Sequence, residues 1–357
     1  MPLLNINLAT IGADSISNLR VLKPHLIAFI KHMTIIKMCN FVRAEMNRIA
    51  KREINSAYPY ILKIESTNIC NLNCGYCYDS RRLPFAGERP YGRMPLEGFK
   101  KIIDEIGAYL FKINLYGFGE PFLFPETFDM VKYATQNNIG VGISSNMNID
   151  TPRLAEQIIE SGLEVLIFSC HGVSRETYNR FMGKGNLEMA LRNINELIQK
   201  REKAGVKTPI IDWQFCVTKF NQHEIRHAVK IQKKYGIDQI RFIRPDVPDD
   251  APNDWISDLF PKRSNALEGA IGCSWPYRSA YINFDGGILP CCRDTRRLSN
   301  DFGNIFSESF STVWNNEKYK YSRRLIANSI VTTSPEIMCE KCPAIRFKVQ
   351  LKKRNIF

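Results

Sequence analysis

Cys70, Cys74 and Cys77 stand in the run Ile69-Cys70-Asn71-Leu72-Asn73-Cys74-Gly75-Tyr76-Cys77-Tyr78 and constrain this chain more than any other feature. A four-iron cluster usually takes four thiolates. Three closely spaced cysteines can hold three irons and leave the fourth open to a ligand. An open coordination position is what separates a catalytic metal site from a closed structural one. The plain alternatives are a zinc knuckle or three unrelated thiols. Zinc sites pair cysteines two to four apart and complete four ligands locally, whereas the next cysteine and histidine here are Cys170 and His171.

Around this run the chain alternates short apolar stretches with helical patterns. The spacing predicts strands over 61–65, 112–116, 141–145, 165–169, 210–217 and 239–243, and helices over 96–109, 126–137, 153–161, 187–203 and 222–235. Thr151-Pro152 reads as an N-cap followed by a first-turn proline. Six strands separated by five helices argue for parallel pairing through crossovers. Pro245 to Pro252, rich in proline and aspartate, reads as a linker.

The cysteine run, with an aromatic residue before its last cysteine, resembles the radical S-adenosylmethionine (radical SAM) superfamily. The resemblance implies a partial (β/α)6 barrel over residues 58–246. It also implies a [4Fe–4S] cluster on Cys70, Cys74 and Cys77 whose open iron chelates S-adenosylmethionine, with Tyr76 beside the cofactor. Further motifs resemble the same family. Tyr116-Gly117-Phe118-Gly119-Glu120-Pro121 matches the segment that binds the SAM amine, placing Gly117, Gly119 and Glu120 there. Ser144 and Asn146 match residues on the ribose hydroxyls, and Ser169 and Arg180 match positions reaching the SAM carboxylate. His171 stands where that pattern has an aspartate, which departs from the family. Cys170 has two readings, a hydrogen-atom donor to a substrate radical or a small buried hydrophobe.

Farther on, Cys273, Cys291 and the pair Cys339-Glu340-Lys341-Cys342 supply four thiolates, enough to close one iron–sulfur cluster or a zinc site. The pattern resembles the SPASM/Twitch branch, and the shortage of later cysteines resembles the Twitch form with one auxiliary [4Fe–4S] cluster, over residues 247–346. Cys292 could replace Cys291 as the ligand or serve chemistry.

The formal charge is +13, and it sits at the ends. Residues 1–52 carry eight basic residues against Asp14 and Glu45, and residues 341–357 carry six and no acid. Basic ends on a neutral body suit an anionic contact or solvated tails. Residues 1–57 read as a basic helical extension, with residues 19–50 an amphipathic helix or helix pair in which Leu22, Leu26, Phe29, Met33 and Ile36 form a stripe expected to pack on the main domain. Lying on a membrane is a further use of such a helix. Nothing is long enough to cross one, and residues 347–357 form a basic tail. Eleven cysteines in a chain this long, clustered at ligand spacings, suit a reduced cytoplasm.

The resemblance implies a radical SAM oxidoreductase on a polar small molecule, sugar- or aminocyclitol-like and of anionic character, oxidising an alcohol or epimerising a carbon. It also implies an external flavodoxin- or ferredoxin-like electron donor. Peptide maturation is the alternative. Nucleic-acid binding is not expected, since no basic-aromatic recognition motif or zinc-finger spacing occurs.

Overall fold

Apolar and polar residues alternate along the central strands, and this alternation decides how the molecule is layered. A computed structural model of the chain describes residues 27–75, 77, 88–247, 251–260, 273–327 and 336–342. Tyr76, Leu22, Leu26, Pro248 to Asp250 and the basic tail lie outside the described residues.

In chain order the elements are α1 (Ile35–Ile49), β1 (Ile61–Ile64), α2 (Leu96–Ile106), β2 (Lys112–Leu115), α3 (Glu126–Gln136), β3 (Gly140–Ser145), α4 (Leu154–Glu160) and β4 (Val165–Ser169). There follow α5 (Arg175–Met182), α6 (Leu187–Lys203), β5 (Ile210–Cys216), α7 (Ile225–Tyr235), β6 (Gln239–Ile243) and α8 (Trp275–Arg278). The C-terminal region adds β7 (Ser279–Ile282), β8 (Gly287–Leu289), β9 (Gly303–Asn304), α9 (Phe310–Trp314) and α10 (Glu317–Ala327). One sheet runs in the order β6-β5-β4-β3-β2-β1-β7-β8-β9. The strands from β6 to β1 pair in parallel, β7 joins β1 in parallel, and β8 and β9 add antiparallel. This is the expected parallel partial barrel, and the C-terminal region extends its sheet.

Leu62, Ile64, Ile113, Leu115, Val141, Ile143, Leu166, Phe168, Ile211, Trp213 and Phe215 are fully buried against the helices. The helices meet them with stripes at three- and four-residue steps, such as Phe99, Ile102, Ile103 and Ile106 of α2. The intervening strand residues face the barrel interior, and many are polar: Lys63, Lys112, Asn114, Ser144, Asp212, Gln214 and Arg241. Parallel strands covered on both faces normally read as continuous apolar runs. A polar inner face is therefore the signature of an interior that holds something other than packed side chains.

Two expectations need correction. Thr151-Pro152 does not start α4. The helix begins at Leu154 after Arg153, whose φ is 61° and whose side chain makes no cap hydrogen bond. The extension is also not one stripe docked on the domain. A helical segment ending at residue 31 gives way to a turn, and Thr34 then caps α1 by accepting from Lys37 N. This restart re-phases the wheel, so Phe29 stacks on Phe111 with ring centroids 4.3 Å apart while Met33 and Ile36 are exposed.

Candidate functional site

Loops after β1, β2, β3, β4, β5 and β6 converge at the C-terminal end of the strands, where active sites of such folds lie. They line a cavity of about 250 Å³ that includes Cys70, Cys74, Cys77, Gly117, Gly119 and Glu120. Ser144, Asn146, Ser169, His171, Cys216 and Asp246 also line it.

The cysteine loop is held by its neighbours. Thr67 Oγ1 donates to Gly92 O (2.7 Å) and accepts from Ile69 N, Gly75 N donates to Phe181 O (2.9 Å), and Cys77 N closes a turn on Cys74 O. The β1 and β2 loops run side by side, with Gly119 N on Thr67 O and Glu120 N on Ile69 O (2.9 Å). This contact explains the two glycines. A Cβ on Gly119 would lie 2.4 Å from Thr67 O, and one on Gly117 would lie 2.2 Å from Glu65 Oε1. The close approach they permit is to the chain's own first loop.

Glu120 is buried and uses both oxygens inside the protein. Oε2 accepts from Asn146 N (2.8 Å) and Oε1 from Phe122 N (3.2 Å). Burial raises its pKa to about 7 against the hydrogen bonds that lower it. Asn146 in turn donates from Nδ2 to Asn71 Oδ1 (3.0 Å) and accepts at Oδ1 from Asn148 N (2.7 Å). These contacts stitch the cysteine loop to the end of β3. The hydroxyls of Ser144 and Ser169 lie 2.9 Å apart on adjacent strands, forming a small polar ledge in the cavity wall.

Two expected residues stand outside the lining. Arg180 pairs with Asp254 and lies 4.3 Å over the Phe220 ring. Tyr178, Phe181 and Met182 occupy the inner face of α5, which turns position 180 outward. Cys170 is fully buried, and its thiol reaches Gly172 O at 3.4 Å. Burial pushes its pKa up to about 12. The cavity thiol beyond the cysteine run is Cys216, at the end of β5, and alternation along β5 was the signal that placed it inward. His171, buried beside it, accepts at Nδ1 from Cys216 N (3.1 Å), and burial lowers its pKa to about 4. Pro245, Asp246 and Val247, read from sequence as linker, form part of the wall.

The thiols are poor acids as they stand. Burial raises Cys74 well above its ordinary value, and the neighbouring Cys77 and Cys70 sulfurs add to the rise. Cationic iron would reverse both effects, so the donor set fits a cluster. The C-terminal set behaves alike. Burial raises Cys339, with Cys291, Cys273 and Cys342 adding to it; Cys291 is pushed up to about 12 and Cys273 to about 11. Three segments distant in sequence therefore bring four thiols within electrostatic reach. Among the described residues no three His, Cys, Asp or Glu side chains close around a single ion. A four-iron cluster makes no such demand, because each thiolate takes a separate iron.

Residues 64–211 match the family model described as the radical SAM superfamily, and residues 273–343 match SPASM, an iron–sulfur cluster-binding domain. Over 303 residues the chain is 23% identical to the tungsten-containing aldehyde ferredoxin oxidoreductase cofactor-modifying protein of Pyrococcus furiosus, covering 75% of this chain and 84% of that protein. Over 179 residues it is 30% identical to mycofactocin maturase MftC of Mycobacterium tuberculosis, covering 50% of this chain and 43% of the maturase. It thus spans less than half the length of that relative. Among solved structures, Streptococcus suis SuiB bound to S-adenosylmethionine superposes with a TM-score of 0.61 at 16% identity, over 86% of this chain and 75% of SuiB. A likeness at that identity concerns the fold.

Proposed function

The chain belongs to the radical SAM superfamily and carries a SPASM iron–sulfur domain, and from that premise we propose that it oxidises an alcohol carbon of a polar, anionic small molecule of the sugar or cyclitol kind. As a radical SAM enzyme it uses a [4Fe–4S] cluster and S-adenosylmethionine. Cys70, Cys74 and Cys77 would hold the cluster, and Gly117, Gly119, Ser144 and Ser169 would frame the cofactor. Bound there, cluster and cofactor supply the one-electron cleavage that takes a hydrogen atom from substrate carbon.

The observation that carries the substrate class is the polar inner face of the barrel. Lys63 Nζ lies 4.6 Å over the Tyr116 ring and 5.9 Å from the Tyr281 ring, with no hydrogen-bond acceptor among the described residues. Arg241, by contrast, is neutralised by Asp212 (2.7 Å). Burial lowers the Lys63 pKa from its ordinary value while Cys292 and Glu65 act to raise it, so an anionic group bound beside it would stabilise its charged form. Taking a carbinol to a carbonyl removes a hydrogen atom, a proton and an electron. Cys273, Cys291, Cys339 and Cys342 would hold the single auxiliary cluster that accepts the electron, and an external one-electron donor would prime the first cluster. Cys170 does not line the cavity although the Cys216 thiol does, and oxidation is preferred to epimerisation because the four C-terminal thiols supply a place for an electron acceptor.

Peptide maturation is the second reading, drawn from the maturase relative. The deciding experiment is anaerobic. Iron and sulfide are counted in reconstituted protein, and dithionite-driven 5′-deoxyadenosine is measured with anionic sugars and cyclitols. About eight irons falling to about four in a Cys70→Ala, Cys74→Ala, Cys77→Ala variant, with a carbonyl product from wild type, supports the proposal. Turnover only with a peptide overturns it.

A further inference from the structure

Helix α1 is docked with its amphipathicity reversed. Its buried residues are Lys37, Asn40, Ala44 and Asn47. Its outward stripe is Ile35, Cys39, Val42, Met46 and Ile49, with Ile35 83% and Ile49 70% exposed. Polar contacts fix this rotation. Asn40 exchanges hydrogen bonds with the Tyr58 main chain (3.0 and 2.9 Å), Asn47 Nδ2 donates to Asn55 Oδ1 (2.8 Å), and Lys37 Nζ donates to Asn138 O. Turning the apolar stripe inward would strand these groups without partners, at a cost that burial of polar groups makes large.

Nine of the twelve large apolar side chains exposed among the described residues fall within residues 27–54, so the exposed apolar surface is concentrated on this extension. Ile30 and Met33 before α1 and Ile54 after it widen the stripe into a face. Arg43, at the edge of the stripe, and Lys51 and Arg52, just past its end, are exposed and make no ion pair among the described residues. Soluble monomers rarely leave such a patch uncovered.

We propose that this face seats the protein on an anionic lipid bilayer. Apolar side chains rimmed by arginine and lysine are what an interfacial helix presents to a headgroup layer. A coiled coil with a second copy fits less well. The three- and four-residue spacing lasts two heptads where three or four are needed, and a symmetric pair would set like charges against each other. The orientation has a consequence for access. Tyr58, Phe111, Asn138 and Arg278, which meet the extension or immediately precede strands, mark the N-terminal end of the barrel. The cavity opens at the other end, so its mouth would face away from the bilayer. The inference is independent of the reaction proposed above.

The test is flotation of the full chain with vesicles of phosphatidylcholine alone and of phosphatidylcholine with phosphatidylserine. The wild type is expected to float with the anionic vesicles and to be released by salt. A Val42→Asp, Met46→Asp variant should lose binding at least tenfold. An Arg43→Glu, Lys51→Glu, Arg52→Glu variant should lose on the order of a hundredfold, from about a fivefold share for each of the three basic residues at an anionic surface. Circular dichroism checks that both remain folded. A Val42→Trp variant should show a blue-shifted emission quenched by brominated lipid. Wild type that stays with the buffer overturns the proposal, as does a dimer broken by Val42→Asp in a protein that ignores vesicles. The same holds if binding is equal in all variants.

Discussion

Cys291 and Cys292 are adjacent and serve different surroundings. Cys291 lies within electrostatic reach of Cys273, Cys339 and Cys342, while Cys292 acts on Lys63, Tyr116 and Tyr281 of the barrel interior. The two side chains thus meet different neighbours, and Cys291 is expected to join the auxiliary thiols. Cys291→Ala is expected to cost about four irons, and Cys292→Ala to cost none while altering turnover. Iron and sulfide counts with the charge-transfer absorption of each variant decide it. Equal iron loss in both would mean the two cysteines share the ligand role.

Lys63 should govern substrate rather than cofactor. Replacing it by methionine keeps the length and the contact with Tyr116 but removes the charge. A hydrogen bond to a charged group is worth about 1.5–3 kcal/mol, so Lys63→Met should weaken an anionic substrate by about 10- to 100-fold. S-adenosylmethionine affinity and substrate-free cleavage should stay near wild type. Loss of cofactor binding instead would remove Lys63 from the substrate site.

Glu65 predicts a pH dependence. Burial raises its pKa to about 7, against the hydrogen bond from Phe118 N and the nearby Arg89 charge, from an ordinary value of 4.5. Between about 4.5 and 7 the folded carboxyl keeps a proton that the unfolded chain has released. Its contribution is therefore complete at low pH and is lost as pH rises through the folded value. The loss amounts to roughly 3 kcal/mol at 1.36 kcal/mol per pKa unit. Glu65→Gln, which can still accept from Phe118 N, should flatten that part of the curve. Urea unfolding at pH 5 and pH 8 would show it, and parallel curves for both proteins would refute it.

Arg180 gives a case where geometry and motif disagree. Its pair with Asp254 is exposed, and such pairs are worth about 0–1 kcal/mol. Arg180→Ala should leave S-adenosylmethionine affinity within about threefold by isothermal titration. A much larger loss would mean the side chain swings into the cavity when the cofactor binds, as the motif implies.

Much of the frame was legible because its signals are local. The predicted spans 165–169, 187–203 and 239–243 coincide with β4, α6 and β6. Asn186 caps α6 by accepting from Met189 N (2.9 Å), and lysine and arginine occupy its last turn. α5 was read as motif rather than helix, though Ser174 accepts from Thr177 N as an N-cap should. Pro245 to Val247 looked like linker because proline and aspartate mark irregular backbone. Composition does not say whether irregular backbone lies in solvent or against a cavity. Of the two readings of Cys170, the small buried hydrophobe fits its place, fully buried with its carbonyl accepting from Trp213 Nε1 (2.8 Å), while Cys216 is the thiol that lines the cavity.

The sequence by itself determined the family, the parallel barrel and the two groups of cysteines, because each depends on spacings within a few residues or on a period that repeats along the chain. Only the tertiary structure decided which surfaces those elements turn to one another. It brought Cys291 within electrostatic reach of Cys273 and turned Arg180 away from the cavity. It also buried Lys37, Asn40 and Asn47 while leaving Ile35 and Ile49 outside. The physical reason is the same in each case. A polar group inside a protein must find its partner, and those partners, Asn138 O, the Tyr58 main chain and Asn55 among them, come from other segments whose positions only the folded chain fixes.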